Sequence, residues 1–461
     1  MVLARGIEGS ATDGDGTAVE SGNRESDTIF ALSSGAPPAG VAVIRLSGPD
    51  AGTALATLFG RLPEPRLASY GAIRAGGRDI DRGLVLWFPG PKSFSGEDCA
   101  ELHLHGGRAV VAAALGALAA MPGLRLAEPG EFTRRAFFNN KLDLTEVEGL
   151  ADLIAAETES QRRQALKQAA GSGGATFEGW RARLIRCRAL IEAELDFPDE
   201  EDVPGSVSDE VWAEARTLGD DMRRQLAASN AAERLRSGLE VVLMGRPNAG
   251  KSSLLNALAR RDAAIVAPEA GTTRDLIEVH LDLAGYPVTI IDTAGMREAS
   301  GHVEREGMRR ARERGAAADL VVWLSAVDDP AAADAGIGQD VWTVATKCDL
   351  APVAVGDAVP ATLAISVASG EGLAIFEAEL ARFAAGRLAG AEDAVVTRVR
   401  HAQGVGEAVA HIEAAIAGEG RGLELRAEDL RRAADALGRI TGRIDVEDLL
   451  DVVFGEFCIG K

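Results

Sequence analysis

Residues 245–252 read Gly-Arg-Pro-Asn-Ala-Gly-Lys-Ser, a spacing in which glycine turns let backbone N–H groups face phosphate oxygens. Lys251 is set to reach the outer phosphates of a nucleoside triphosphate, and Ser252 to hold Mg2+. Downstream, the stretch from Ala267 to Asp275 carries Thr272 and Thr273, and Thr273 is the candidate to complete the Mg2+ shell and sense the γ-phosphate. Asp292-Thr293-Ala294-Gly295 places a carboxylate ahead of a flexible glycine, a pattern suited to metal coordination and γ-phosphate sensing. Thr346-Lys347-Cys348-Asp349 supplies a second carboxylate, and Asp349 can accept hydrogen bonds from guanine N1–H and its exocyclic amine, which adenine does not offer in that arrangement. The commoner form of this motif begins with Asn, so Thr346 is a departure. Ser366-Val367-Ala368 fits a short loop that backs the guanine with main-chain N–H groups.

These groups need strand ends and one helix start to hold them. The apolar run 241–244 reads as a buried strand, and 253–258 after the loop as a helix, whose positive N-terminus favours phosphate. Residues 281–283 and 288–291 read as a hairpin around Ala284-Gly285-Tyr286-Pro287, with further strands at 320–324 and 341–344. Four ordered motifs on alternating strands and helices predict an α/β P-loop GTPase domain over residues 237–385, with Asn248, Ala249, Gly250, Lys251, Ser252 and Ser253 lining the phosphate side. After Gly295 stands Met296, which cannot orient water, so hydrolysis must take a polar group and positive charge from elsewhere. Glu304 is one candidate, although taken alone it reads more readily as a solvated helix carboxylate. Asn248 is another, as a side chain that could help hold a monovalent cation near the phosphates.

The chain has 461 residues, too many for one core, and 46% of them are hydrophobic. A net charge of −21 argues against a protein that grips nucleic acid across its whole surface. Cys99, Cys187, Cys348 and Cys458 lie far apart with no paired metal-site spacing, which points to a reduced, cytoplasmic setting. No apolar stretch approaches the length of a membrane span, and residues 1–27 read as a disordered tail rather than a secretory signal. Residues 28–141 read as a small α+β domain, with strands over 41–46 and 83–89 and a helix over 109–118. His103 and His105 share one face of a strand and read as structural rather than as a metal pair. Apolar residues at helical spacing in 142–236 and again in 386–461 predict one all-α domain built from both flanks, with the GTPase domain inserted. Cys458 formally starts a prenylation box, but Gly460 and Lys461 fit it poorly and lipidation is rejected.

The whole from residue 28 onward resembles the MnmE (TrmE) family of tRNA modification GTPases. The marks are 245–256, Ala-Gly-Thr-Thr-Arg-Asp at 270–275, Asp-Thr-Ala-Gly-Met-Arg-Glu at 292–298, Pro-Gly-Glu-Phe-Thr-Arg-Arg-Ala-Phe at 129–137, Phe-Pro-Asp-Glu-Glu at 197–201, and the terminal Cys-Ile-Gly-Lys. The resemblance implies a homodimer formed through a tetrahydrofolate-binding N-terminal domain, with Arg45, Glu101, Lys141 and Lys461 at the folate, a 5-formyl or 5,10-methylene derivative. It implies K+ held by the Asn248 side chain, the carbonyls of Ala267 and Glu269, and Thr272, and it reassigns Glu304 to positioning water. It further implies a hetero-oligomer with an FAD-dependent MnmG-type partner, FAD entering only through that partner. Together they would install a carboxymethylaminomethyl or aminomethyl group on the wobble uridine of certain tRNAs, with Cys458 in the modification chemistry. The rival is a ribosome-assembly or other regulatory GTPase switch that binds RNA through its flanks; it calls for a basic RNA-binding appendage, and neither a basic stripe nor an RNA-binding motif is present.

Overall fold

The computed structural model describes residues 27–196, 207–261, 263–265, 277–292, 309, 312–333, 336–351, 363–418, 420–444, 450, 453–454, 457 and 460. They divide into two compact units, residues 1–141 with 454–461, and residues 142–453.

The first unit runs β1 (Thr28–Leu32), β2 (Ala39–Ser47), α1 (Ala51–Phe59), β3 (Ser69–Ala75), β4 (Arg78–Phe88), β5 (Cys99–Gly106), α2 (Arg108–Ala119), β6 (Leu124–Leu126) and α3 (Glu131–Phe138). Its sheet has the order β3-β4-β5-β2-β1-β6, antiparallel except for the parallel β1–β6 pair. Along β2, Ala42, Ile44 and Leu46 are buried while Val43 and Arg45 face the other way, the period of two that a half-covered strand requires. Leu55 and Leu58 of α1 and Leu118 of α2 close over Ile44, Leu46, Leu102 and Leu104 to make the core. At the far end of the sequence Gly460 meets β1: its carbonyl accepts a 2.6 Å hydrogen bond from Ser33 Oγ. A Cβ at Gly460 would stand 2.1 Å from Leu32 O, and its φ of 103° suits glycine, so no larger residue fits there.

The second unit begins with α4 (Leu144–Ala155), α5 (Glu159–Ala169), α6 (Ser172–Asp196) and α7 (Val207–Ser237). Capping boxes start α4 (Asp143 with Glu146) and α5 (Thr158 with Gln161), so both helix starts are written in local sequence. There follow β7 (Leu239–Gly245), α8 (Lys251–Ala259), β8 (Ile277–Leu283), β9 (Tyr286–Asp292), β10 (Leu320–Ala326), β11 (Val341–Thr346), β12 (Leu363–Ala364) and α9 (Leu373–Leu388), then α10 (Val399–Ala417) and α11 (Leu423–Thr441). Phe177, Leu184, Leu218, Val405, Ile412, Leu430 and Leu437 belong to one buried cluster, so helices from both sides of the sheet segment share a core. The sheet itself has the order β12-β11-β10-β7-β9-β8, parallel except for β8.

The β8–β9 hairpin departs from the expected four-residue connection. Ala284 and Gly285 take φ of 55° and 89°, so two residues complete the turn and Tyr286 and Pro287 already belong to β9. The turn docks on α5, where Ser160 N and Oγ donate to Gly285 O at 3.1 and 2.5 Å.

Candidate functional site

β7 ends at Gly245, whose φ of 142° and a would-be Cβ 2.4 Å from Leu324 O leave room only for glycine. The chain then turns through Asn248, itself at a φ of 62°, and Gly250 at 96°, before α8 begins at Lys251. Asparagine tolerates this left-handed backbone better than most residues, a reason for Asn248 that spacing alone did not reveal. Lys251 is 6% exposed, and its Nζ lies 3.1 Å from Gly245 O and 3.0 Å from Arg246 O. The loop therefore holds this ammonium over its own carbonyls, at the mouth of the helix N-terminus.

Parallel pairing sets Leu243 of β7 beside Asp292 of β9, one strand from the loop. Asp292 is fully buried, and Ser252 Oγ donates to its Oδ2 at 2.6 Å. A hydroxyl and a carboxylate brought this close are hard oxygen donors of the kind Mg2+ takes. Thr293, Ala294, Gly295, Ala267, Glu269, Thr272, Thr273 and Glu304 lie outside the described residues.

On the other side of β7, the two loops expected from the sequence to read the base are tied together by hydrogen bonds. Thr346, 3% exposed, donates from its hydroxyl to Ala249 O at 2.7 Å. Lys347 takes a φ of 61° and places its Nζ 2.8 Å from Asp328 Oδ2. Ser366 Oγ donates to Asp349 Oδ1 at 2.6 Å, and Cys348 N donates to Ile365 O at 3.3 Å, so two hydrogen bonds join the 346–349 loop to residues 365–366. Val367 is partly buried and Ala368 exposed.

In the other unit, antiparallel register sets Arg45 of β2 opposite Glu101 of β5. Arg45 Nε and Nη2 donate to Glu101 Oε1 at 3.1 and 3.0 Å, and His103 Nε2 lies 3.0 Å from Oε2. The His103 hydrogen bond, opposed by burial and helped by Arg45, holds the Glu101 carboxyl below its ordinary range. In the sequence 56 positions separate Arg45 from Glu101, and strand register makes them a pair. Arg45 also lies 5.3 Å from the Phe94 ring, while Lys141 Nζ donates to Pro91 O at 3.1 Å, so the two cations flank one loop. His105 has its own carboxylate, Asp81, at 2.9 Å from Nδ1, and among the described residues no cluster of three or more His, Cys, Asp or Glu side chains could hold a metal ion. Cys458 and Lys461 lie outside the described residues.

Comparison with known proteins gives the family to which these elements belong. Residues 28–141 match the family described as the GTP-binding protein TrmE N-terminus, and residues 144–458 match the MnmE helical domain. The tRNA modification GTPase MnmE of Brucella anthropi is 54% identical over 94% of this chain and 98% of its own. The chain belongs to the MnmE family of tRNA modification GTPases. That of Brucella canis is 53% identical over the same shares, 94% and 98%. The G domain of the T. maritima FeoB iron transporter is 26% identical over 32% of this chain and 98% of that one, with a TM-score of 0.24. Among the described residues of this MnmE-family chain, no helix is long and apolar enough to cross a membrane.

One group of residues escaped the sequence reading altogether. Glu148 in α4 is buried with His401 and flanked by the partly buried Arg400 and Arg398, all three from the region that follows the GTPase domain. The signal was available: Glu148 stands four residues after Leu144, on the apolar face of its own helix, where an unpaired carboxylate has no place.

Proposed function

We propose that this chain is a K+-activated, Mg2+-dependent GTPase that works as a cytoplasmic homodimer with an FAD-dependent partner of the MnmG type. Together they add a carboxymethylaminomethyl or aminomethyl group to C5 of the wobble uridine in certain tRNAs, drawing a one-carbon unit from a tetrahydrofolate derivative. The observation that carries the nucleotide half is the 2.6 Å approach of Ser252 Oγ to Asp292 Oδ2 beneath the N-terminus of α8. Mg2+ bound there would neutralise phosphate charge; Ser252 and Thr273 are the residues proposed to hold it, while Lys251 binds the outer phosphates. The α8 N-terminus orients the phosphates through its backbone N–H groups. Asp349, braced by Ser366, is assigned to the Watson–Crick edge of guanine, and the main-chain N–H groups of Val367 and Ala368 to its O6.

Met296 leaves the water-orienting position without a polar group, so Glu304 is assigned to position water and K+ to supply charge. Asn248, Ala267, Glu269 and Thr272 are the proposed K+ ligands. For the folate, the pre-formed Arg45–Glu101–His103 array offers paired donors and an ionised carboxylate to a heterocycle, with Lys141 and Lys461 completing the set. Free thiols at Cys99, Cys187 and Cys348 suit a reducing compartment. Two measurements test the reading. GTP turnover should be much faster in KCl than in NaCl, and equal rates sink the cation role. Mass analysis of tRNA from a strain lacking the chain should show the wobble uridine modification missing, and unchanged nucleosides remove that role.

A further inference from the structure

Position 346 is the one place where the guanine-reading loop departs from the commoner asparagine, and the structure says what the departure does. A side-chain amide carries two donor hydrogens and an acceptor, whereas a threonine hydroxyl carries a single donor hydrogen. Here that hydrogen goes to Ala249 O at 2.7 Å, in a position only 3% exposed. Ala249 lies in the phosphate loop, so the bond ties the loop that reads the base to the loop that holds the phosphates.

The neighbouring donors are committed as well. Ser366 Oγ bonds Asp349, Lys347 Nζ sits at 2.8 Å from Asp328 Oδ2, and the Cys348 thiol faces Ala345 O at 3.5 Å. Guanine offers acceptors at O6 and N7 on one edge and donors at N1 and N2 on another. Asp349 answers the donors, and the 366–368 main chain is placed for O6.

We propose that Thr346 commits its one hydroxyl donor to locking the base loop onto the phosphate loop, leaving guanine N7 without a side-chain hydrogen bond from this loop. Base selection then rests on the Watson–Crick edge and O6 alone. This inference rests on the guanine reading of residues 346–349, and its test separates the two.

Full-length chain is titrated with a fluorescent GTP analogue and competed with GTP, 7-deaza-GTP, in which a C–H replaces N7, and ATP. The expected result is 7-deaza-GTP within about twofold of GTP while ATP competes poorly, because an unmade hydrogen bond costs nothing when its acceptor is removed. A loss of about tenfold or more for 7-deaza-GTP, with ATP still excluded, overturns the N7 inference and leaves the guanine reading intact. ATP competing as well as GTP overturns both. Variants report on the lock itself. Thr346→Val should weaken GTP and 7-deaza-GTP alike by about tenfold, and Thr346→Ser should restore both, since only the hydroxyl matters. Thr346→Asn brings a spare donor and should separate the two nucleotides by about fivefold in favour of GTP. Unequal losses in Thr346→Val count against the proposal.

Discussion

Glu148 of α4 accepts a 2.9 Å hydrogen bond from His401 Nε2 of α10, across 253 positions of sequence, with both side chains almost fully buried. Arg400 Nε and Nη2 add bonds of 2.5 and 2.6 Å to the same carboxylate, and Arg398 lies alongside. The helices before and after the GTPase domain are thus joined by a polar clasp as well as by their apolar core. An ionised carboxylate only accepts, so Nε2 carries the hydrogen, and His401 Nδ1 has no hydrogen-bond partner among the described residues, as befits a neutral ring.

Removing the acceptor leaves the buried His401 Nε2–H without its carboxylate and the partly buried Arg400 with Ile440 O in place of a two-pronged carboxylate contact. Glu148→Ala should cost about 3–5 kcal/mol of stability, read from urea unfolding monitored by circular dichroism. A change within about 0.5 kcal/mol would show the clasp to be dispensable.

The clasp also sets a pH dependence. Burial raises the Glu148 carboxyl, but hydrogen bonds from His401 and Arg400 outweigh it and hold the group well below its ordinary value of 4.5. A depressed carboxyl stabilises fully above the unfolded value, so this contribution is lost as pH falls below about 4.5. Burial, opposed by Glu148, pushes His401 below its ordinary 6.5; the unfolded chain then binds the extra proton, and stability declines as pH drops from 6.5. Unfolding midpoints should therefore fall as pH drops from 6.5 through His401, and fall further below pH 4.5 through Glu148. His401→Gln should flatten the upper part of that fall, and an unchanged slope would contradict a neutral buried ring.

Ser366 braces Asp349, the carboxylate proposed to select the base. Asp349→Asn should abolish discrimination between GTP and XTP, measured by competition binding. Ser366→Ala, which frees one Asp349 oxygen, should weaken GTP by about tenfold while leaving ATP excluded.

Asn248 has two separable duties, a left-handed backbone and a proposed K+ ligand. Asn248→Gly keeps the backbone at its φ of 62° and should leave thermal stability within about 0.5 kcal/mol, while the stimulation of turnover by KCl disappears. Asn248→Ala should lose the same stimulation and also about 1 kcal/mol of stability through backbone strain. Retained KCl stimulation in both variants removes Asn248 from the cation site.

Glu304→Ala should lower GTP turnover by about a hundredfold with little change in GTP affinity, as expected for a group that acts on water rather than on nucleotide. Cys458→Ser should keep GTPase activity and lose tRNA modification, measured by nucleoside mass analysis. Normal turnover in the first, or normal modification in the second, returns that residue to a bystander.

Much of this molecule could be read from contiguous stretches of chain. The phosphate loop needs only a strand, a turn and a helix in succession, and residues 241–259 provide them in order; the helix begins at Lys251, two residues before its apolar pattern. Capping boxes at Asp143 and Thr158 are equally local. The hairpin turn was misplaced by two residues because Tyr286-Pro287 resembles a turn in composition, whereas positive φ at Ala284 and Gly285 completes it sooner.

By itself, then, the sequence determined a P-loop GTPase domain and the family, since the phosphate loop is written within a dozen neighbouring residues and the family marks are short contiguous stretches between residues 129 and 461. Tertiary structure alone decided the partnerships: Arg45 with Glu101, Thr346 with Ala249, Glu148 with His401. Each joins residues whose approach depends on strand register or on helix packing across a shared core. A shift of one residue in β2 would turn Arg45 to the opposite face of the sheet, and nothing in the neighbourhood of either charge in the sequence records which way it points.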